Sequence, residues 1–250
     1  MIKAVIFDLD GTLIQTEVLK ATSYAKAIHY LTKGQISESN VLDIFGQFVG
    51  LSRSEVVRGL ANHFSEELGS HLKTNDLELI GEQLIEKRLE EYRSILEDTD
   101  LLSQHFCTFT LGLFHKVYSD ELSVVLATMS HLPEAKRITS IMGIHEKFNL
   151  VLTRDDVKNG KPDPEIYDLA KKRLGLQSDE CLVIEDSVNG IKAAQNANMT
   201  VFAVTNKVTR KSVHECQLLE PAYIVDQLEG LSARIYSFIE SKKKESQKSQ

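Results

Sequence analysis

The chain has 250 residues, 42% hydrophobic and 26% charged, with 13 Gly and 4 Pro, a composition that excludes collagen-like, low-complexity and wholly disordered classes. Net charge is −7, from 29 basic and 36 acidic residues, and a body of that sign repels nucleic-acid phosphates. No apolar run approaches the roughly 18 residues of a membrane span, and the N-terminal segment lacks the basic start and unbroken apolar stretch of a signal peptide. A cytoplasmic protein with no nucleic-acid or membrane partner is expected.

In chain order, Lys3-Ala-Val-Ile-Phe-Asp-Leu-Asp10 is a short β-branched, apolar run ended by Gly11, and it reads as a buried strand opening into a loop. From Thr16 to Glu97 the period becomes helical, as at Leu77, Ile80, Leu84, Leu89, Tyr92 and Leu96, and three or four helices are expected there. A further apolar helix is expected after Asp98-Thr-Asp100, running to about Tyr118. Strand candidates then follow at Leu122–Thr128, Phe148–Leu152, Cys181–Glu185, Thr200–Val204 and Ala222–Val225. Helices are expected between them at Pro133–Met142, from Pro164, and at Val188–Asn196. Short apolar strands alternating with helices indicate right-handed βαβ units and a parallel sheet. The fold expected is therefore α/β: a Rossmann-like core over 1–15 and 99–240, with an all-helical domain inserted over 16–98. The segment 241–250 holds four Lys and one Glu and nothing apolar, so a disordered basic tail is expected. Cys107, Cys181 and Cys216 fit neither a disulfide framework nor a zinc spacing.

In an open parallel sheet, functional groups gather at the carboxyl ends of the strands. That rule selects Asp8, Asp10, Gly11 and Thr12 after the first strand, Thr128 and Ser130 after the next, and Glu185 with Asp186 after a later one. Lys161 sits in a Gly-Lys-Pro-Asp-Pro loop before a helix. Carboxylates crowded into one cleft raise one another's pKa unless a cation intervenes, and a hard ion with oxygen ligands, most plausibly Mg²⁺, resolves the conflict. Such an ion beside one lysine makes a site for a phosphoryl group. Asp8 is placed to act as nucleophile and Asp10 as acid/base, with Gly11 allowing a sharp turn. The bland alternatives are solvated strand-end carboxylates, hydroxyls that satisfy loop backbone, and Glu185-Asp186 capping a helix.

Asp8-Leu-Asp-Gly-Thr-Leu13 resembles the first motif of the haloacid dehalogenase superfamily, Val125-Leu-Ala-Thr128 the second, Lys158-Asn-Gly-Lys-Pro-Asp-Pro164 the third, and Val183-Ile-Glu-Asp-Ser-Val-Asn-Gly190 the fourth. The resemblance implies Asp8 as nucleophile and Asp10 as general acid/base, Thr128 and Lys161 on the phosphoryl group, and Mg²⁺ held by Asp8, the Asp10 carbonyl and Asp186 with Glu185 supporting. It also implies that the insert is a C1-type cap, as in the subfamily of β-phosphoglucomutase and phosphoglycolate phosphatase, selecting the substrate on closure. An aspartate at position 10 favours a phosphatase or phosphomutase over a dehalogenase. Within the cap, Gly50-Leu-Ser-Arg53-Ser-Glu55 resembles a specificity loop and Arg88 a basic substrate-binding position, although both arginines also fit as ordinary surface helix residues. Gln15 and Lys20 depart from the family pattern, which has Asp at the first position and, in mutases, His at the second. A Mg²⁺-dependent phosphatase of a small phosphorylated metabolite, with sugar phosphates among the candidates, is the leading expectation. A sugar phosphomutase and a phosphometabolite-binding protein without turnover are the alternatives, and the sequence leaves the oligomeric state open.

Overall fold

The structure is a computed structural model, and it describes residues 1–48, 51 and 53–248. It opens with strand β1 (Ala4–Phe7), four fully buried apolar residues. Helices then follow: α1 (Thr16–Leu31), α2 (Glu38–Phe45), α3 (Arg53–His63), α4 (Ser65–Leu72), α5 (Leu77–Glu97) and α6 (Thr99–Ser103). The chain returns through α7 (Thr108–Ser119), β2 (Ser123–Ala127), α8 (Leu132–Ile141), β3 (Leu150–Leu152), α9 (Glu165–Leu174), β4 (Cys181–Glu185), α10 (Val188–Asn196), β5 (Thr200–Val204), α11 (Arg210–Glu215), β6 (Ile224–Val225) and α12 (Leu231–Lys248). It divides into two compact units, Met1–Gln15 with His105–Gln250 and Thr16–Gln104. The second crossing thus falls after Gln104, six residues beyond the boundary read from the sequence, because the short helix α6 goes with the helical unit.

The α/β unit is built on a six-stranded sheet of order β3-β2-β1-β4-β5-β6, every neighbouring pair parallel. This is the Rossmann-like fold, with the strand order reversing direction at β1. The register is even: Phe7 lies opposite both Leu126 and Ile184, so the residues after β1, β2 and β4 emerge side by side. On one face Ile6, Val125, Val183 and Val201 pack with Ile166 and Ala170 of α9 and Ile191 and Ala194 of α10. On the other, Phe114 of α7 stands between Phe7 and Phe148, with ring centroids 5.7 and 5.0 Å away. Fully burying each such side chain contributes about 1.5–3 kcal/mol.

The helical unit has its own core, in which Tyr24 and Ile28 of α1, Phe45 of α2, Val57 and Leu60 of α3, and Ile80 and Leu84 of α5 are buried. Ser37 caps α2 by accepting the Asn40 N–H, and Asp76 caps α5 by accepting that of Glu78. Five helices, not three or four, lie between Thr16 and Glu97 among the described residues; the chain breaks at Phe64 into α3 and α4.

Two expectations need correction. The helix expected after Asp100 to about Tyr118 is broken: the chain there ends α6 and begins α7, because the segment between them pairs with the loop after β1. There Gln15 N–H donates to His105 O at 2.8 Å, Cys107 N–H donates to Leu13 O at 2.9 Å, and Ile14 bridges Phe106. The 241–250 segment is not a disordered tail over its described part: α12 runs to Lys248. Leu231 and Ile235 are buried, and the Phe238 ring packs 5.4 Å from Phe202 on β5. That anchored face extends the helix, and Lys242–Glu245, at 2.8 Å, adds a pair one turn on. No helix among the described residues is long and apolar enough to cross a membrane.

Candidate active site

Asp8 directly follows β1, Thr128 follows β2, and Glu185 ends β4 with Asp186 next in line. The parallel register therefore delivers them together at the carboxyl edge, at the point where the strand order reverses. Asp8, Glu185 and Asp186 are 6, 1 and 4% exposed. A carboxylate oxygen from each lies within 4.8 Å of the others.

Lys161 closes this group from the loop before α9, where the Lys161–Pro162 peptide is cis. Its Nζ donates to Asp8 Oδ1 at 2.7 Å, Glu185 Oε1 at 2.6 Å and Ala127 O at 2.9 Å. An ammonium has three protons, and all three are engaged. Burial pushes the Asp8 carboxyl up to about 8, with the charges of Glu185 and Asp10 adding to the shift and Lys161 opposing it. Lys161 is held above its ordinary value, because the attraction of Asp8 and Glu185 outweighs the desolvation that pulls it down. One lysine thus serves more negative charge than it can balance.

Glu185 is saturated. Its Oε1 also accepts from Tyr167 Oη at 3.2 Å, and its Oε2 accepts from Asp186 N, Ser187 N and Ser187 Oγ at 2.8, 3.0 and 3.1 Å. A Cβ at Gly190 would overlap this carboxylate. The same serine caps α10 by accepting the Gly190 N–H.

Asp10 is held from β2: Ser130 Oγ donates to its Oδ2 at 2.6 Å, and Thr128 Oγ1 lies 3.4 Å from the same oxygen. Ser130 N–H donates to Thr128 Oγ1 at 3.0 Å, which fixes the hydroxyl. Gly11 has φ +82, and a Cβ there would overlap the Asp186 carboxylate, so glycine is required by both conformation and space. Gln15, which departs from the family pattern, braces this turn by donating to Gly11 O at 3.0 Å and Cys107 Sγ at 3.2 Å. Asn206, beyond β5, donates to Asp186 Oδ2 at 3.1 Å.

Asp8, Asp10, Gly11, Thr128, Ser130, Lys161, Glu185 and Asp186 are therefore brought to one place. Thr12 is fully buried, and its hydroxyl has no hydrogen-bond partner among the described residues. In the helical unit, Arg53 is exposed at the start of α3. Arg88 is not a surface residue: it is 4% exposed, its guanidinium 5.2 Å from the Tyr24 ring centroid and 4.4 Å from that of Tyr92. Burial raises the Tyr24 phenol, opposed by the charges of Arg88, Arg53 and Lys20 and reinforced by that of Glu17, to which Lys20 is itself paired at 3.2 Å. Gly50 and Ser52 of the expected cap loop lie outside the described residues. Sequence reasoning passed over Tyr167 and Asn206, and met Ser187 only as part of a strand-end motif, with no role. The strand-end rule, applied to β5, points to the loop that carries Asn206.

The donor set suits a hard divalent cation: three buried carboxylates, all-oxygen, with a single ammonium among them. A Rossmann-ordered sheet with acids, hydroxyls and a buried lysine at its reversal point makes a site suited to a cation and a phosphoryl group. The family model described as haloacid dehalogenase-like hydrolase matches residues 2–198, and the chain belongs to that family. It is 27% identical over 230 residues to the pyrophosphatase PpaX of Bacillus velezensis, covering 92% of this chain and 94% of that one. It is 27% identical over 239 residues to the phosphoglycolate phosphatase of Salmonella typhi, covering 92% and 91%. Among solved structures it resembles the β-phosphoglucomutase of Clostridium difficile, with TM-score 0.69 and 26% identity over 98% of this chain and 99% of that one.

Proposed function

We propose that this protein is a Mg²⁺-dependent phosphatase that hydrolyses a small phosphorylated metabolite through an aspartyl phosphate on Asp8. The observation that carries this reading is the pairing of two aspartates with separate environments on one strand-end loop: Asp8 buried against Lys161, and Asp10 held by Ser130. An Asp8 oxygen attacks phosphorus and the ester oxygen leaves, taking a proton from Asp10 to depart as the alcohol. Water then attacks the aspartyl phosphate, Asp10 accepts its proton, and inorganic phosphate departs. Lys161 keeps the Asp8 side chain fixed and compensates its charge, and Glu185 anchors Lys161. Asp8 and Asp186 are the side chains suited to hold Mg²⁺, along with the main-chain carbonyl of Asp10. Glu185, with both oxygens occupied, supports the centre instead of ligating. When bound, the ion supplies neutralising charge to the phosphoryl oxygens.

Substrate selection is assigned to the helical unit, with Arg53 as its candidate residue. Arg53 and the likeness to β-phosphoglucomutase favour a sugar phosphomutase as the second reading, while Lys20, where mutases carry histidine, counts against it. Phosphate release should be measured from sugar phosphates, phosphoglycolate, pyrophosphate, nucleotides and an aryl phosphate, with Mg²⁺ and with chelator. Chelator-sensitive release from one or a few of them is expected, abolished in Asp8→Asn with the circular dichroism spectrum unchanged. Retained turnover in Asp8→Asn removes the nucleophile assignment. Isomerisation of β-glucose 1-phosphate without net release would transfer the reading to the mutase.

A further inference from the structure

Asn206 stands two residues past the end of β5, on the same carboxyl edge of the sheet as Asp8 and Asp186. Both ends of its side chain are committed. Its Oδ1 accepts the N–H groups of Val208 at 2.8 Å and Thr209 at 3.0 Å, and its own backbone N–H donates to Thr209 Oγ1 at 3.3 Å. This is an Asx turn leading into α11. Because the oxygen end must face those two backbone donors, the amide has one orientation, with the NH₂ end toward Asp186. From there Nδ2 donates to Asp186 Oδ2 at 3.1 Å, with the Gly11 carbonyl 3.5 Å away.

The chemistry of that donor is specific. A lysine or arginine against Asp186 would orient the carboxylate but also neutralise it, in competition with a cation. An amide orients it and leaves its charge intact. Gly11 is the residue whose missing Cβ admits the same carboxylate, at the same Oδ2. Asp186 is thus met by a backbone that must be glycine and by an amide whose direction is fixed by the turn it caps.

We propose that Asn206 is a positioning residue for the metal centre: it holds Asp186 in the conformation that meets Asp8 and sets the affinity for Mg²⁺. This rests on reading the acidic cluster as a Mg²⁺ site. Outer partners of metal ligands are worth about 10–100-fold in metal affinity.

The test is titration calorimetry of Mg²⁺ into the full chain, wild type against Asn206→Ser and Thr209→Ala. Serine keeps a hydroxyl that can cap the turn but is too short to reach Asp186. Thr209→Ala loosens the turn and leaves the Asn206 amide in place. Asn206→Ser is expected to raise the dissociation constant at least tenfold or so, and Thr209→Ala to leave it within about twofold. With an aryl phosphate, the Mg²⁺ concentration for half activation should rise in step, while KM at saturating Mg²⁺ stays unchanged. Wild-type affinity in Asn206→Ser overturns the proposal, and so does an equal loss in Thr209→Ala, which would make the turn and not the amide responsible. Absence of Mg²⁺ binding by the wild type would instead overturn the metal-site reading, and this inference with it.

Discussion

Replacing Lys161 with methionine isolates the electrostatic work of one side chain. Methionine keeps an unbranched stem of similar length, so the space beside the Tyr167 ring, 5.1 Å from Nζ to its centroid, stays filled. What disappears is an ammonium whose side chain is only 4% exposed and which contacts Asp8 Oδ1 at 2.7 Å and Glu185 Oε1 at 2.6 Å. Removing one member of a buried ion pair leaves an uncompensated charge and costs about 3–5 kcal/mol. In a chain of this size that is a fall in Tm of roughly 6–20 °C without metal. The loss should depend on pH. Burial raises Asp8 to about 8 even with Lys161 opposing the shift, so without the ammonium the carboxyl holds its proton to higher pH still, and above that value only the wild type gains a compensated Asp8 charge. Destabilisation is therefore expected to grow as pH rises through that value. Lys161 itself stays charged throughout, since its own shift is upward. The assay is thermal unfolding in chelator on either side of that pH, with phosphate release in Mg²⁺ recorded in parallel. A loss under about 1 kcal/mol at both values, as at an exposed pair, or a loss that shrinks with rising pH, would refute the argument.

Three further outcomes are expected. Gly11→Ala places a Cβ on the Asp186 carboxylate at φ +82, and calorimetry should show Mg²⁺ affinity reduced by about tenfold or more while the far-ultraviolet spectrum is retained. Metal-free wild type should lose stability as pH rises from about 4 to about 8: the raised Asp8 carboxyl binds a proton in the folded state that the unfolded chain has already released, from its ordinary 3.8 upward. Saturating Mg²⁺ or Asp8→Asn should flatten that slope in a pH series of melting curves, and a flat curve in chelator counts against the buried charge. Tyr167→Phe removes the donor 3.2 Å from Glu185 Oε1, a long bond worth about 1 kcal/mol, to be read from urea unfolding.

The sheet was legible because its strands are short apolar runs: β2 to β6 lie within two residues of where the sequence places them, and β1 ends three residues earlier. The strand-end rule groups Asp8, Asp10, Thr128, Glu185 and Asp186, and the parallel register does bring them to one edge of the sheet. The burial of Arg88 was not legible. A lone arginine on an amphipathic helix reads as solvated, and only the approach of Tyr24 from α1, with Tyr92 one turn along α5, buries it. The last helix shows a related failure. Leu231, Ile235 and Phe238 carry a helical spacing, but the lysine run after them dominates the composition. What sets the helix is Phe238 meeting Phe202 and Tyr223, residues far from it in sequence.

The adjacent acids Glu185 and Asp186 show why spacing alone does not assign roles. Consecutive residues leaving a strand point in opposite directions, so two carboxylates with the same burial face different neighbours. Glu185 turns toward α9 and the start of α10, where Lys161, Tyr167 and Ser187 occupy both its oxygens. Asp186 turns toward Gly11 and Asn206, where it meets a neutral amide donor and the space left by a missing Cβ. One carboxylate is thereby committed to fixing the lysine that fixes Asp8. The other stands at the mouth of the strand, where a cation would meet it. Exchanging them, as Glu185→Asp with Asp186→Glu, would shorten the reach to Lys161 and push the longer chain into the Gly11 turn. Both binding and turnover should fail together, although the composition, charge and motif spacing of the chain would be unchanged.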